Sequence, residues 1–425
     1  MPPKCIKISQ SDTSQESIAD EDIISDLPRN VIDCILGKMP IREAVRTSVL
    51  SEKWRFYYLT IAELIFDDNF CKQLQKFALV QNKCHILSEY ELELKYQFDE
   101  IITRSLLLHP GRIEKFTVCV PNFNSTRVPN VNKWIQYLSR KNIKKLTLEY
   151  KKKDTVRHKL PPCFFSCLDL TYLKLRNFSF SPPSPEFKGF LYLDQLVLLG
   201  VHLVSNCFES FVSSCPVLQS IVLRGCSGVH HFSITGSKLQ RLCIKADDEL
   251  ESISLENAPN LTEVSVTLDK VVIGLESNPN SDMVKFVDGL PRVEILRLNG
   301  KFLQLLAQTP VPPILSTSPV SLKIIELKGV NFTNFDEISA VVCLIRSAPN
   351  LQELHIEAST IELNQEQVSG CLKLLDCTAF PLSKLHLVKL TNISSFVPEF
   401  KFIQFLLFSS PSLATMSIMR GAPNS

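Results

Sequence analysis

The chain has 425 residues, of which 45 % are hydrophobic, and a formal net charge of +2 at pH 7. This composition supports a large apolar core and argues against a protein that binds nucleic acid or a membrane surface through charge alone. Only 13 residues are glycine, which argues against a cofactor fold built on glycine-rich loops.

The N-terminal residues 1–21 are polar and show no periodic pattern, so we expect a disordered tail there. They contain no apolar signal sequence, which predicts a cytoplasmic and/or nuclear protein whose 14 cysteines are reduced thiols. No run reaches the roughly 18 apolar residues of a membrane-spanning helix, and no cysteine or histidine spacing matches a metal site. We therefore expect no membrane association, no metal and no cofactor.

A short three-helix unit is predicted over residues 22–60. Pro28 suits a first helical turn, and the apolar residues that follow recur at steps of three and four until Pro40 ends the helix. Two more short helices are predicted in IREAVRTSVL and SEKWRFYYL. A unit of about 40 residues without a disulfide or a metal is rarely stable alone. Its apolar surface is therefore expected to pack on a partner protein, or on the first repeat of the following domain as a cap.

From residue 113 onward the pattern L-x-x-L-x-L recurs twelve times at intervals of 21 to 32 residues, with Ile, Val, Phe or Met in place of some Leu. The copies begin at Ile113, Ile143, Leu170, Leu193, Leu218, Leu239, Leu261, Val293, Leu322, Leu351, Leu382 and Leu413. The two apolar residues of each L-x-L core share one face of a short strand, and a single strand cannot bury that face. A stack of parallel strands can bury these faces together in one continuous core. The sequence therefore predicts an α/β fold, a leucine-rich-repeat solenoid or horseshoe with parallel strands.

Proline marks the turns between repeats. Pro216, Pro259, Pro291, Pro349 and Pro411 each stand five residues before the middle apolar residue of the next strand. Because proline ends a helix and favours extended backbone before it, each is expected to turn the chain back into the stack. We expect a linker or helical cap over residues 61–112, the repeats over 113–380, a terminal repeat over 381–420 and a tail over 421–425.

The concave face of a horseshoe displays the residue between the two core positions and the residue after them. These positions hold a central basic set, with Glu149, Glu326 and Glu357 nearer the ends. The basic set is Lys174, Arg176, Arg224, Lys245, Arg297 and Lys328. We hypothesise that it binds an acidic or phosphorylated segment of a substrate; the alternative is that these side chains merely solvate an exposed sheet.

Catalytic motifs are absent from the sequence, which has no P-loop, no G-x-S-x-G and no H-E-x-x-H. The paired His230 and His231 lie between repeats, where a solvated loop is the simpler interpretation than a metal site. His355 and His386 are predicted to be middle residues of L-x-L strands. We therefore expect a non-enzymatic binding protein.

Residues 27–55, LPRNVIDCILGKMPIREAVRTSVLSEKWR, resemble an F-box, above all in the Leu-Pro start, the MPI turn and the A-x-R-T-S-V-L-S-x-x-W-R end. Two segments of the repeat region, LPPCFFSCLDLTYLKLRNFSF and SCPVLQSIVLRGC, are similar to segments of plant F-box proteins with leucine-rich repeats. The segment PLSKLHLVKLTNISSFVPEFKFIQFLLFSSPSLATMSI resembles the FBD segment of such proteins.

This resemblance implies the substrate-recognition subunit of an SCF-type ubiquitin-protein ligase. The F-box would bind a Skp-type adaptor, and through it cullin and RING subunits, while the repeats would bind a protein substrate. The implied adaptor-binding residues are Leu27, Pro28, Ile32, Ile35, Leu36, Met39, Pro40, Ala44, Arg46, Val49 and Trp54. Leu27, Leu36 and Trp54 are the expected anchors, because a few large apolar side chains dominate most interfaces.

Three other interpretations stay open. The chain could be a leucine-rich-repeat interaction scaffold whose helical hairpin is only a cap, without a ubiquitin role. It could also bind the adaptor without taking part in cullin-dependent degradation, and an enzyme of unknown type is the most remote alternative. A receptor subunit needs no catalytic residue of its own, because thioester chemistry belongs to the ubiquitin-conjugating enzyme.

Overall fold

The computed structural model divides the chain into two units, residues 1–61 and 62–425. It describes residues 27–39, 43–44, 47–50, 54, 57, 61–81, 87–123, 130–151, 158–180, 187–204, 207–246, 250–270, 283–359, 381–394 and 396–421. The predicted N-terminal tail lies outside the described residues.

The first unit contains the helix Arg29–Gly37 and a short 3-10 turn, Thr47–Val49. The helix begins directly after Pro28, whose carbonyl accepts hydrogen bonds from the N–H groups of Val31 and Ile32. The unit has a small hydrophobic core of its own. The core residues are Ile32, Leu36, Ala44, Trp54 and Ile61, with Leu27 and Tyr57 packed at its edge.

The second unit is built on a parallel sheet of 13 strands whose order follows the chain. The strands are Glu63–Phe66, Lys115–Val120, Lys145–Tyr150, Tyr172–Arg176, Gln195–Leu199, Ser220–Arg224, Arg241–Ala246, Glu263–Leu268, Ile295–Asn299, Ile324–Val330, Glu353–Ala358, Leu387–Ile393 and Thr415–Arg420. Along a typical strand such as Ser220–Arg224, buried residues alternate with residues that are half-buried or exposed. The predicted α/β repeat fold is therefore confirmed.

The first strand of the sheet lies in the region for which the sequence predicts only a linker or cap. Glu63–Phe66 pairs with Lys115–Val120, with Leu64 opposite Phe116. Ile61, Leu64 and Phe66 in fact repeat the L-x-x-L-x-L spacing. Two helices, Asp68–Gln81 and Leu87–Leu107, separate this copy from the next and hide its place in the series.

The copy predicted to begin at Leu382 is displaced by three residues. Its strand is Leu387–Ile393, in which Val388 and Leu390 are the buried pair. His386 therefore precedes the strand, and Lys389 takes the middle position opposite His355. The sequence PLSKLHLVKL contains two overlapping frames of the same pattern, and the pairing with the strand Glu353–Ala358 selects the later one.

The segments that return between strands are short and varied. Helices form at Val131–Leu138, Cys207–Ser213, Met283–Asp288, Gly300–Leu306, Phe335–Ser347 and Val397–Ser409, and a 3-10 turn forms at Pro162–Ser166. Small outer sheets join His158–Lys159, Phe178–Phe180 and His202–Leu203, and join His231–Thr235 with Ser252–Asn257. Each of the five prolines named above lies in a turn before a strand of the main sheet, as predicted. None of the described helices is long and apolar enough to cross a membrane.

Adjacent repeats are joined by side chains as well as by the sheet. The amides of Asn177, Asn299 and Asn392 donate hydrogen bonds to main-chain carbonyls of the preceding repeat, at Tyr150, Leu268 and Ala358 respectively. Gly189 has a φ of +99°, and a Cβ there would overlap the carbonyl oxygen of Ser214. Only glycine both adopts that backbone conformation readily and permits the close approach.

Candidate interaction sites

The helix of the first unit displays an exposed apolar stripe beside its buried side. Val31, Ile35 and Met39 follow one another at four-residue steps, and are 37 %, 39 % and 36 % exposed. Val31 and Ile35 therefore lie on one side of the helix, and Met39 follows two residues after the helix ends at Gly37. Val49 and Leu50 in the same unit are 85 % and 53 % exposed. Such large apolar side chains favour burial against another molecule.

The residues implied to bind the adaptor fall into two groups in the structure. Ile32, Leu36, Ala44 and Trp54 are buried in the unit's own core. Pro28, Ile35, Met39 and Val49 are exposed, and Leu27 is half-buried. Pro40 and Arg46 lie outside the described residues.

The expected anchors differ in their exposure. Leu36 and Trp54 pack inside the unit's own core, and their contact with an adaptor stays a prediction. They support the helix that displays the exposed stripe. Val31 and Leu50 join the exposed set although the sequence interpretation omitted them. Val31 could have been found from its position four residues before Ile35.

Polar contacts lie on the side of the helix opposite the exposed stripe. Arg29 Nε lies 3.1 Å from Asp33 Oδ1, one helical turn away, and its guanidinium carbon lies 4.5 Å from the centre of the Tyr57 ring. Both charged side chains are about half exposed, so the ion pair itself adds little stability. The helix therefore has a polar edge, a buried face and an exposed apolar stripe.

The open face of the main sheet, opposite the repeat core, holds the predicted substrate-binding residues. At one end of the basic set, Glu149 pairs with two cations, with Lys174 Nζ at 2.7 Å and Arg176 Nη1 at 3.6 Å from its carboxylate oxygens. At the other end, Arg297 pairs with both Glu263 and Glu326. Three of the six basic residues are therefore engaged by carboxylates of adjacent strands.

Of the remaining three basic residues, only Lys245 has a carboxylate within ion-pair distance among the described residues. Lys245 Nζ lies 3.5 Å from Asp269 Oδ2, and both side chains are about half exposed. Arg224 lies directly beside Lys245 in the register of adjacent strands. Within the part of the chain that the structure describes, neither Arg224 nor Lys328 forms an ion pair. Of these three, Arg224 and Lys245 lie side by side on adjacent strands, whereas Lys328 lies further along the sheet.

The two adjacent histidines belong to a different surface. His231 begins the outer strand His231–Thr235, whereas the sequence interpretation placed it in a loop. Its Nδ1 lies 2.9 Å from Ser252 Oγ and its Nε2 lies 3.4 Å from Glu251 Oε2. A cavity of about 260 Å³ opens beside them, lined by His231, Phe232, Ser233, Ser252, Ile253, Ser254 and Lys285.

The described residues provide no metal centre, because no three His, Cys, Asp or Glu side chains among them converge on one point. The buried thiols are not activated either. Burial raises the pKa of Cys71, Cys119 and Cys167 to about 12 each. A nucleophilic cysteine needs the opposite shift, since the thiolate is the reactive form.

The chain is similar to known proteins over most of its length. A family model described as FBD-associated F-box protein At5g56370, LRR repeats, matches residues 131–356, and an F-box domain model matches residues 24–57. The F-box/FBD/LRR-repeat protein At1g13570 of Arabidopsis thaliana is 35 % identical over 400 residues, covering 93 % of this chain and 91 % of its own. The putative F-box/FBD/LRR-repeat protein At5g56810 of the same plant is 25 % identical over 402 residues, covering 86 % of this chain and 83 % of its own.

Proposed function

Because the chain belongs to the F-box/FBD/LRR-repeat family, we propose that it is the substrate-recognition subunit of an SCF-type ubiquitin-protein ligase. An F-box substrate-adaptor role is the general role of this family, and its members are typically non-catalytic. In the proposal, residues 22–60 bind a Skp-type adaptor, and through it cullin and RING subunits. The repeats over 113–380 and the FBD-like terminal repeat over 381–420 serve substrate binding, in the cytoplasm and/or the nucleus.

The observation that supports adaptor binding is the exposed apolar stripe of Val31, Ile35 and Met39, together with Val49. Fully burying one large apolar side chain contributes about 1.5–3 kcal/mol. Several such side chains in one interface are enough to decide whether a complex of ordinary size persists. The buried core beneath the stripe fixes the helix before the partner arrives, which lowers the entropic cost of binding.

The proposed contribution to ubiquitination is positional. A receptor that holds the adaptor at one end and a substrate on its repeats raises the local concentration of substrate lysines near the reactive thioester. No catalytic side chain is required of the receptor for this.

The experiment that tests the proposal is co-purification with a plant Skp-type adaptor. We expect the wild-type chain to bind and the double variant Ile35→Glu/Val49→Glu to lose binding, because both changes place a charge in the exposed apolar surface. The control is Asn30→Glu, which adds one negative charge to the same helix away from the stripe, as Ile35→Glu alone adds one within it. Asn30 is exposed, and an acidic residue in a first helical turn is favourable.

The outcomes separate the possible roles. If wild type and Asn30→Glu bind and the double variant does not, the receptor role is supported. If no form of the chain binds the adaptor, the hairpin has no link to a ubiquitin ligase and the scaffold interpretation takes its place. If the double variant binds as wild type does, the exposed stripe is not the adaptor-binding surface.

A further inference from the structure

Three neighbouring strands at the centre of the open face form a surface that we call the central window. The strands are Gln195–Leu199, Ser220–Arg224 and Arg241–Ala246, paired in that order. The window consists of Gln195, Val197, Leu199, Ser220, Val222, Arg224, Arg241, Cys243 and Lys245, the residues that alternate with the buried ones. None of these nine side chains is acidic.

The window carries three exposed cations, Arg224, Arg241 and Lys245. No ion pair joins Arg224 or Arg241 to any described part of the chain, and Lys245 has only the half-exposed Asp269 at 3.5 Å. The acid opposite Arg241 in the register is Glu263, whose carboxylate pairs with Arg297 instead. The acidic run at 247–249 lies outside the described residues.

Arg241 was not among the predicted substrate residues, although it precedes the first buried residue of its strand and so alternates onto the open face.

An apolar floor lies between the cations. Val197, Val222 and Cys243 stand side by side on the three strands and are half-buried. Arg241 lies on one side of this floor, and Arg224 and Lys245 lie together on the other. Charge at both edges with an apolar strip between them is complementary to a partner that has the reverse pattern of charge.

The spacing selects the conformation of that partner. Arg241 and Lys245 are four residues apart on one strand, a distance of about 13 Å at the rise of extended chain. Two acidic residues four apart in an extended segment span the same distance and point to the same side, as does the residue midway between them. In an α-helix the same two residues would be only about 6 Å apart, which does not match the window.

We propose that the central window binds an extended protein segment of the pattern acid-x-apolar-x-acid, with Asp or Glu carboxylates at the two ends. One carboxylate contacts Arg241, the other contacts Arg224 and Lys245, and the apolar side chain covers Val222 and Cys243. The proposal rests on the proposed function in that the segment belongs to the substrate. It names the chemistry of that substrate, which the family resemblance does not.

Fluorescence anisotropy of the full-length chain with a labelled synthetic peptide tests this proposal. The probe is Gly-Gly-Glu-Thr-Val-Thr-Glu-Gly-Gly, compared with a peptide in which both Glu are Gln and with one in which they are two residues apart. We expect the first peptide to bind at least about tenfold more tightly than the others, and its affinity to fall as salt is added. Arg224→Glu and Arg241→Glu should each weaken binding by about tenfold, since like charges then face each other.

Lys389→Glu is the matched control, because Lys389 is an exposed cation on the same face outside the window. It should leave peptide binding unchanged. The proposal is overturned if the Glu and Gln peptides bind equally, if Lys389→Glu weakens binding as much as Arg241→Glu, or if only a phosphothreonine form of the peptide binds. Adaptor binding measured on the same preparations separates the two proposals. Its loss would refute the ligase role without affecting the peptide result.

Discussion

The side chain of Asn299 satisfies both main-chain groups of Leu268, accepting its N–H at 3.0 Å and donating to its carbonyl at 2.7 Å. The same Oδ1 accepts the N–H of Phe302 at 3.2 Å and so caps the helix Gly300–Leu306. Leu268 ends the neighbouring strand of the sheet. One amide therefore ties the end of one repeat to the first helical turn of the next.

We expect Asn299→Ala to lower the free energy of unfolding by about 1–2 kcal/mol, because it removes a helix cap and leaves the Leu268 groups without a side-chain partner. Urea unfolding followed by far-UV circular dichroism measures the change. Asn350→Ala is the control, since the Asn350 amide makes one exposed hydrogen bond, to the carbonyl of Val320. If the two variants lose the same free energy of unfolding, the three hydrogen bonds of Asn299 stabilise the fold no more than the one exposed bond of Asn350.

The sequence predicts the repeat strands well because their signal is local. Two apolar residues two apart, preceded by a third, specify a strand with one buried face wherever they occur. The two strands that the sequence did not place correctly also have physical explanations. The Ile61 copy is isolated by two helices, and the Leu382 copy offers two frames whose choice depends on pairing with Glu353–Ala358.

The interaction surfaces could be predicted only in part. Periodicity places Ile32 and Ile35 on different sides of one helix, but both are apolar, so it does not tell which side is buried. On the open face, the sequence shows the cations but not their neighbours. Lys174 and Glu149 meet only because their strands are adjacent in the sheet. Whether a cation is free or neutralised is therefore a property of the fold.

The buried and exposed residues of the first helix should respond differently to truncation. Leu36→Ala removes a fully buried side chain from a small core and should cost about 2–5 kcal/mol. Ile35→Ala, at the exposed stripe, should cost under about 1 kcal/mol. Hydrogen exchange of peptides covering residues 27–39 is the measurement, with faster exchange expected in the Leu36 variant and wild-type rates in the Ile35 variant.

Adaptor binding gives the complementary result for the same pair of variants. Ile35→Ala should weaken the complex while leaving exchange in the free chain unchanged. If instead Ile35→Ala accelerates exchange as strongly as Leu36→Ala does, the stripe contributes to the unit's own stability and is not a free docking surface.

Cys34 should report on occupancy of the first helix. It is an exposed free thiol next to Ile35, whereas Cys167 is buried and its pKa is raised to about 12 by that burial. In the native chain at pH 8, iodoacetamide should modify Cys34 rapidly and leave Cys167 unmodified until the protein is denatured. Peptide mass spectrometry distinguishes the two sites, and Cys34→Ser identifies the fast-reacting peptide. Adaptor binding should slow the modification of Cys34; an unchanged rate in the complex would place the adaptor elsewhere.

Glu337 is a buried carboxyl group whose titration should be visible in stability. It is 2 % exposed, its Oε2 accepts the N–H of Asn331 at 2.7 Å, and its Oε1 accepts from the amide of Gln304. Burial raises the pKa of Glu337 above its ordinary value of 4.5, while those two hydrogen bonds act in the opposite direction. Burial dominates because an ionised carboxylate loses more hydration than two donors replace.

The sign of the pH dependence follows from this shift. A carboxyl group with a raised pKa in the folded state contributes stability that is fully present below the unfolded value and is lost as pH rises through the folded value. Glu337→Gln removes the titration while retaining an oxygen that can accept from Asn331. We therefore expect wild type to lose stability relative to Glu337→Gln as pH rises from about 4 to about 8. Urea unfolding of both proteins across that range measures the difference, and a difference that is constant with pH, or that changes in wild type's favour, would show that the hydrogen bonds outweigh burial.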